Sequence, residues 1–261
     1  MMILPLLIAA VAIGLTLLYA SVLDIRDRRV PFRTWYPMLI ISVPAAVISY
    51  LTLPDWTLGG RYLIAALIFS GFFYLCASFG LFGGADAWAL IFISLLVPTF
   101  PVQPLLGYTA TGFFPFSVLV DSLIFALIAP VGIFFINRTR GNNGPLLCQF
   151  MGFPVGSADL TRSYGFVMEE FSLKSGTLQR RYFGFFETLK RMLTGRQRVY
   201  TRNLRLHPAD YVEEMRLYKM AGTVWISYAV PFIVPITAGF LTALTVGDPV
   251  YWLLARMIAG V

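Results

Sequence analysis

Charge is scarce in this chain: 13% of its 261 residues are Asp, Glu, Lys or Arg, while 58% are apolar and the mean hydropathy is +0.75. Such a balance excludes an ordinary water-soluble domain. Histidine occurs once, as His207 in a very basic segment, and no Gly-x-Ser-x-Gly elbow accompanies it, so nothing supports a Ser-His-Asp hydrolase. The two cysteines, Cys76 in an apolar run and Cys148 in a basic loop, lie far apart and support neither a disulfide nor a Cys-x-x-Cys metal site. Zinc hydrolysis lacks a ligand set. Internal repeats and low-complexity tracts are also missing.

Long apolar runs are what the chain has instead. A helix needs about 20 apolar residues to cross a hydrocarbon core about 30 Å thick. Runs of this kind occur at Ile3–Leu23, Thr34–Pro54, Tyr62–Phe82, Phe113–Ile136 and Met220–Val246, with a shorter one at Ala87–Val102. The stretch after Pro249 is too short and carries Arg256. We therefore expect an all-α polytopic membrane protein of six transmembrane helices, with a small insertion of α or α+β structure between helices five and six. The first run has no Lys or Arg before it and a poor cleavage site around Ala20, which argues against a removed secretory signal.

Basic residues fix the expected orientation. Arg26, Arg28, Arg29 and Arg33 follow the first run, and 14 more of the 20 lie in residues 138–219, leaving Arg61 and Arg256 elsewhere. Six spans with these segments cytoplasmic place both termini outside a plasma membrane. Three parts follow: residues 1–137 as a five-helix membrane part, 138–219 as a basic cytoplasmic subdomain, and 220–261 as the sixth helix and tail. The subdomain holds 7 acids against its 14 bases, suited to an anionic lipid surface; the bilayer is the expected partner, and nucleic acid is not. Within it, Ser163–Leu173 and Thr177–Phe183 flank Lys174-Ser175-Gly176 and suggest a hairpin, and Phe185–Leu193 reads as helix.

Two acids converge on one face in this topology, Asp24 closing the first span and Asp86 opening the fourth. Asp24 sits against the negative end of its helix dipole, so it is not a stabilising end cap; an ion pair with Arg26 or Arg28 is the structural alternative, and Asp27 lies one turn further out. Asp86 could simply cap its helix. Its setting, Gly83-Gly84-Ala85-Asp86, nevertheless leaves room for a close backbone approach, with glycines that permit unusual φ values and an extended peptide. Facing carboxylates at a membrane boundary favour a state sharing one proton, in which one activates water and the other protonates the leaving amine. Asp121 lies within the fifth run, where an acid costs about 2.5–3.5 kcal/mol to insert. Its depth separates it from the first two, and a packing hydrogen bond to a neighbouring span or an ion pathway are the roles to weigh.

Asp24-Ile25-Arg26-Asp27-Arg28-Arg29-Val30-Pro31 and Gly83-Gly84-Ala85-Asp86 resemble the two aspartate motifs of the prepilin peptidase family of membrane aspartyl proteases, most closely its archaeal preflagellin and prepilin peptidase branch. The resemblance spans the chain. It implies that Asp24 and Asp86 are catalytic without metal or organic cofactor, and that the substrate is a pilin-like or flagellin-like precursor with a short basic leader and a hydrophobic helix. Ala85 replaces the second glycine of the usual motif, Trp88 stands where Lys is frequent, and Phe32 follows Pro31 where Asn is common. With only two distant cysteines, the N-methyltransferase activity of the bacterial branch is not expected. Pro231 and Pro235 are expected to bend the sixth span and leave substrate space. The competing readings are a presenilin-like intramembrane protease, a small cation-coupled transporter using Asp86 and Asp121, and a scaffold acting through the basic segment.

Overall fold

A computed structural model describes residues 3–52, 55–174, 176–184, 186–187, 190, 199–228 and 231–259. In chain order its main elements begin with α1 (Ile3–Asp27), α2 (Tyr36–Leu51), α3 (Trp56–Ser78), α4 (Gly84–Leu96), α5 (Phe114–Thr139), α6 (Leu146–Met151) and β1 (Gly152–Gly156). There follow β2 (Glu169–Lys174), β3 (Thr177–Tyr182), α7 (Thr201–Leu206), α8 (Val212–Ala221), β4 (Thr223–Ser227), α9 (Ile233–Thr245) and α10 (Pro249–Ala259). Two compact units emerge, residues 1–126 with 231–261, and residues 127–230.

The first unit is helical. Three of its helices are long and apolar enough to cross a membrane: α1, α3 and the segment of α2 with the 3-10 turn before it. A fourth is α5, and α9 with α10, bent by 55° at their junction, make a fifth if the pair is one span. The outward faces are apolar, with Ile64 60% and Ile68 69% exposed on α3. Such surface suits lipid contact rather than water, and the chain is a multi-pass membrane protein. Helix α4 differs: it touches α1, α2, α3 and α9, and buries Ala87, Ala89, Leu90, Ile91, Phe92, Ile93 and Leu96.

Length alone does not give six spans. The run Ala87–Val102 supplies only the 13 residues of α4, and Met220–Val246 is not one helix. Its first part ends α8 and continues as β4, because Thr-Val-Trp-Ile-Ser is rich in β-branched and aromatic side chains. The stretch after Pro249 is helical, with Asp248 Oδ1 accepting from the Tyr251 N–H at 2.8 Å. Small residues bring helices together as they do in membranes. A Cβ on Gly239 of α9 would collide with Ser122 and with the Val118 carbonyl of α5.

In the second unit β1 and β4 pair antiparallel, Gly152 opposite Ser227, and β2 and β3 form a separate antiparallel hairpin, Lys174 opposite Thr177. The hairpin lies where the sequence suggests it. Lys174 belongs to the strand, and Gly176 takes φ +79° in the turn, a conformation two-residue hairpin loops demand. The helix expected over Phe185–Leu193 lies largely outside the described residues. Leu160, Val167, Phe171, Leu204, Tyr218, Val224 and Ile226 make the core of this unit.

Glu169 is buried beside that core, its Oε1 accepting from the Trp225 N–H at 2.5 Å and its Oε2 3.0 Å from Arg180 Nε. Burial holds its carboxyl above the ordinary range, outweighing the Trp225 amide and Arg180, which favour the ion. The folded chain thus takes up this proton at higher pH than the unfolded chain. The associated stability is complete below the unfolded value and is lost as pH rises through the raised one. Glu169→Ala should strand the Trp225 amide at a cost of about 1–3 kcal/mol, read as faster hydrogen exchange across Thr223–Ser227. Glu169→Gln keeps an acceptor oxygen, so most protection should survive while its pH dependence disappears.

Candidate active site

Helix α1 ends just beyond Asp24. Arg28 adopts φ +53°, and its N–H reaches back to the Asp24 carbonyl at 3.1 Å, closing the last turn as an αL cap does. The Asp24 side chain accepts from the Ile233 N–H, Oδ2 to N 3.3 Å, and lies within electrostatic reach of Arg28. Ile233 is the first residue of α9, so its amide has no partner within the helix and the positive end of the α9 dipole points toward the carboxylate. The unfavourable end of the α1 dipole at Asp24 is thus offset by the favourable end of α9.

Pro231 and Pro235 create that arrangement, and neither kinks a span. Pro231 precedes α9 and Pro235 is its third residue, a position whose amide would lack an intrahelical partner anyway. They mark where the helix starts. The expected bend lies instead at Gly247, φ +102°, between α9 and α10.

Asp86 occupies the third position of α4, after the N-cap Gly83, whose carbonyl accepts from the Ala87 N–H at 2.9 Å. Its carboxylate folds back over Gly83, so that a Cβ on Gly83 would overlap Asp86 Oδ2. Gly84 has nothing within 4 Å of its would-be Cβ, and Ala85 packs against the core. Gly83 has φ −64°, available to any residue, so space rather than conformation requires glycine there. The unusual φ of this loop belongs to Gly80, at +68°. The charge that bears on Asp86 is Asp24, which places the two carboxylates within electrostatic reach of each other.

Aromatic rings tie the two sides together. Phe82, next to Gly83, packs edge to face on Phe232, next to Ile233, with centroids 5.3 Å apart. Phe32 and Trp88, two of the three departures from the family pattern, meet edge to face at 5.2 Å, and Trp88 stacks on Phe92 at 5.4 Å. Phe32, Trp88 and Phe92 therefore form one aromatic cluster.

Family models cover nearly the whole chain. Residues 11–144 match the type IV leader peptidase family, and residues 144–249 match the archaeal peptidase A24 C-terminus, type II. The chain belongs to the type IV leader peptidase family. Among its similar relatives are the preflagellin peptidases of Methanocaldococcus jannaschii, 24% identical over 92% of this chain and 93% of the relative, and of Methanococcus voltae, 26% identical over 95% and 99%. The preflagellin peptidase of Methanococcus maripaludis is 25% identical over 90% of this chain and 93% of its own length. All three alignments cover at least 90% of this leader peptidase family member.

Asp121 stands apart from this pair. It is buried, and the carboxylate that bears on it is Asp248. The packing hydrogen bond expected of it is not made: among the described residues neither of its oxygens has a hydrogen-bond partner. Asp121→Asn removes one of two like charges and should leave cleavage at the wild-type rate, with the thermal unfolding midpoint in detergent raised by about 2–4 °C. Loss of cleavage would restore Asp121 to the machinery. Among the described residues no group of three or more His, Cys, Asp or Glu is placed to hold a metal ion.

Sequence reasoning missed Ile233, Phe82, Phe232 and a hydroxyl pair, Ser21 and Thr237. A backbone amide carries no sequence signal. Ser21 and Thr237 did carry one, as polar residues inside apolar runs.

Proposed function

We propose that the chain is a membrane aspartyl endopeptidase that removes short basic leader peptides from preflagellin- or prepilin-type precursors at the cytoplasmic boundary of the membrane. The observation that supports this reading is that Asp24, near the end of one helix, and Asp86, near the start of another, lie within electrostatic reach of each other. In this reading Asp24, which accepts from the Ile233 amide, carries the negative charge and Asp86 holds the proton. Asp24 takes a proton from water as the oxygen attacks the scissile carbonyl, which Asp86 polarises through its O–H. The tetrahedral intermediate then breaks, the C–N bond cleaves, and a proton passes to the leaving amine.

Six crossings complete the reading, with α4 as the short fourth, both termini outside and residues 138–219 cytoplasmic. The relatives' name supports a preflagellin-like client, and the basic loops support the orientation. Proteolysis is the whole activity, without N-methyl transfer. Purified protein in detergent should cut a preflagellin-type precursor at its leader, and Asp24→Asn and Asp86→Asn should not. Cleavage by both variants, or none by the wild type, overturns the reading.

A further inference from the structure

Two buried hydroxyls bridge α1 and α9 one turn from Asp24. Ser21 Oγ and Thr237 Oγ1 are 2.7 Å apart, and Thr237 Oγ1 also lies 2.8 Å from the Ile233 carbonyl and 3.2 Å from the Leu17 carbonyl. A consistent arrangement has Ser21 donating to Thr237, whose single proton is shared between the two carbonyls. Ser21 is three residues before Asp24 and on the same helix face. Thr237 grips the carbonyl of the residue whose amide serves Asp24, so Ile233 is held at both its polar groups.

Apart from the Ile233–Asp24 hydrogen bond, no further hydrogen bond is seen across this helix contact among the described residues. Gly14 faces the Phe240 ring, which a would-be Cβ would approach to 3.3 Å, a little inside ordinary van der Waals contact. Apolar surfaces of this kind can slide along the helix axes, whereas a hydrogen bond weakens steeply with misalignment. The geometry points to Ser21 and Thr237 as positioning residues for the reaction: their hydroxyl pair sets the axial register of α1 against α9, and thereby aims the Ile233 amide at Asp24. They touch no reacting atom. This inference rests on the reading that Asp24 is catalytic.

The test is precursor cleavage in detergent by Thr237→Val, Thr237→Ser and Ser21→Ala, with Ser42→Ala as a control that removes a buried hydroxyl bonded to α1 at the Ala9 carbonyl. Thr237→Val should lower kcat about ten- to a hundredfold with KM within about twofold, as expected for a sub-ångström misplacement. It should also displace the acidic limb of the kcat/KM pH profile, which a purely structural hydroxyl would not move. Thr237→Ser should restore kcat to within about threefold, and Ser21→Ala combined with Thr237→Val should be no worse than Thr237→Val alone. Wild-type kcat and pH profile in folded Thr237→Val, or an equal loss in Ser42→Ala, overturns the inference. If Thr237→Val does not fold, Ser21→Ala is read by the same criteria. Asp24→Asn assayed in parallel separates the two failures: an inactive Asp24→Asn beside a normal Thr237→Val sinks only the positioning role, while an active Asp24→Asn sinks the reading beneath it.

Discussion

Either Asp24→Asn or Asp86→Asn should lower kcat for leader cleavage by at least about a thousandfold, in the range of a lost general acid or base. Asparagine preserves the shape of each carboxyl, and at position 24 it keeps an oxygen that can accept from the Ile233 amide, so folding and precursor binding should change little. What disappears is proton chemistry. The double variant should be no slower than the slower single variant, because a pair acting as one proton-sharing unit is already disabled by the first change. Additive losses would indicate two independent roles. Single-turnover cleavage at saturating precursor separates chemistry from binding and makes the comparison direct.

The adjacent glycines should respond oppositely to the same added methyl group. Gly83→Ala places a Cβ against Asp86 Oδ2, and the backbone there, φ −64° and ψ 136°, accepts alanine without strain. The carboxylate must swing away. Stability should therefore stay within about 0.5 kcal/mol of wild type, while kcat falls about a hundredfold through misplacement of the acid. Gly84→Ala meets nothing within 4 Å and stands at the first position of α4. It should keep wild-type kcat and gain up to about 1 kcal/mol in stability. A pair of equal losses would mean that the motif needs backbone freedom, and the spatial account of Gly83 would fail.

Much of this was legible in the sequence, for identifiable reasons. Asp24 and Asp86 stand out because acids are rare in apolar runs, and the distribution of basic residues is what leads one to expect them on one face. The β2–β3 hairpin is legible from alternating strands around a glycine. The last apolar run is misread because a continuous apolar stretch does not distinguish a buried strand from a helix. Thr223–Ser227 pairs with Gly152–Gly156, some seventy positions earlier, and that pairing decides the outcome. Pro235 is misread as a kink because its effect depends on whether the helix has already begun, which is fixed by Phe232 and its ring contact with Phe82. Ile233 could not be found at all, since what it offers is a main-chain amide.

The brevity of α4 has a consequence for water. Thirteen residues rise about 20 Å, roughly 10 Å short of the hydrocarbon thickness. Past Leu96 the chain is sealed by main-chain bonds, Phe114 N to Pro98 O at 3.1 Å, Leu105 N to Thr245 O at 3.0 Å and Leu106 N to Val246 O at 2.9 Å. The shortfall thus opens at the other end, where Gly83 and Gly84 are exposed beside Asp86. In the proposed reaction, water would then reach the two acids through a notch at this end of α4, and a scissile bond would have to dip below the headgroups to be cut.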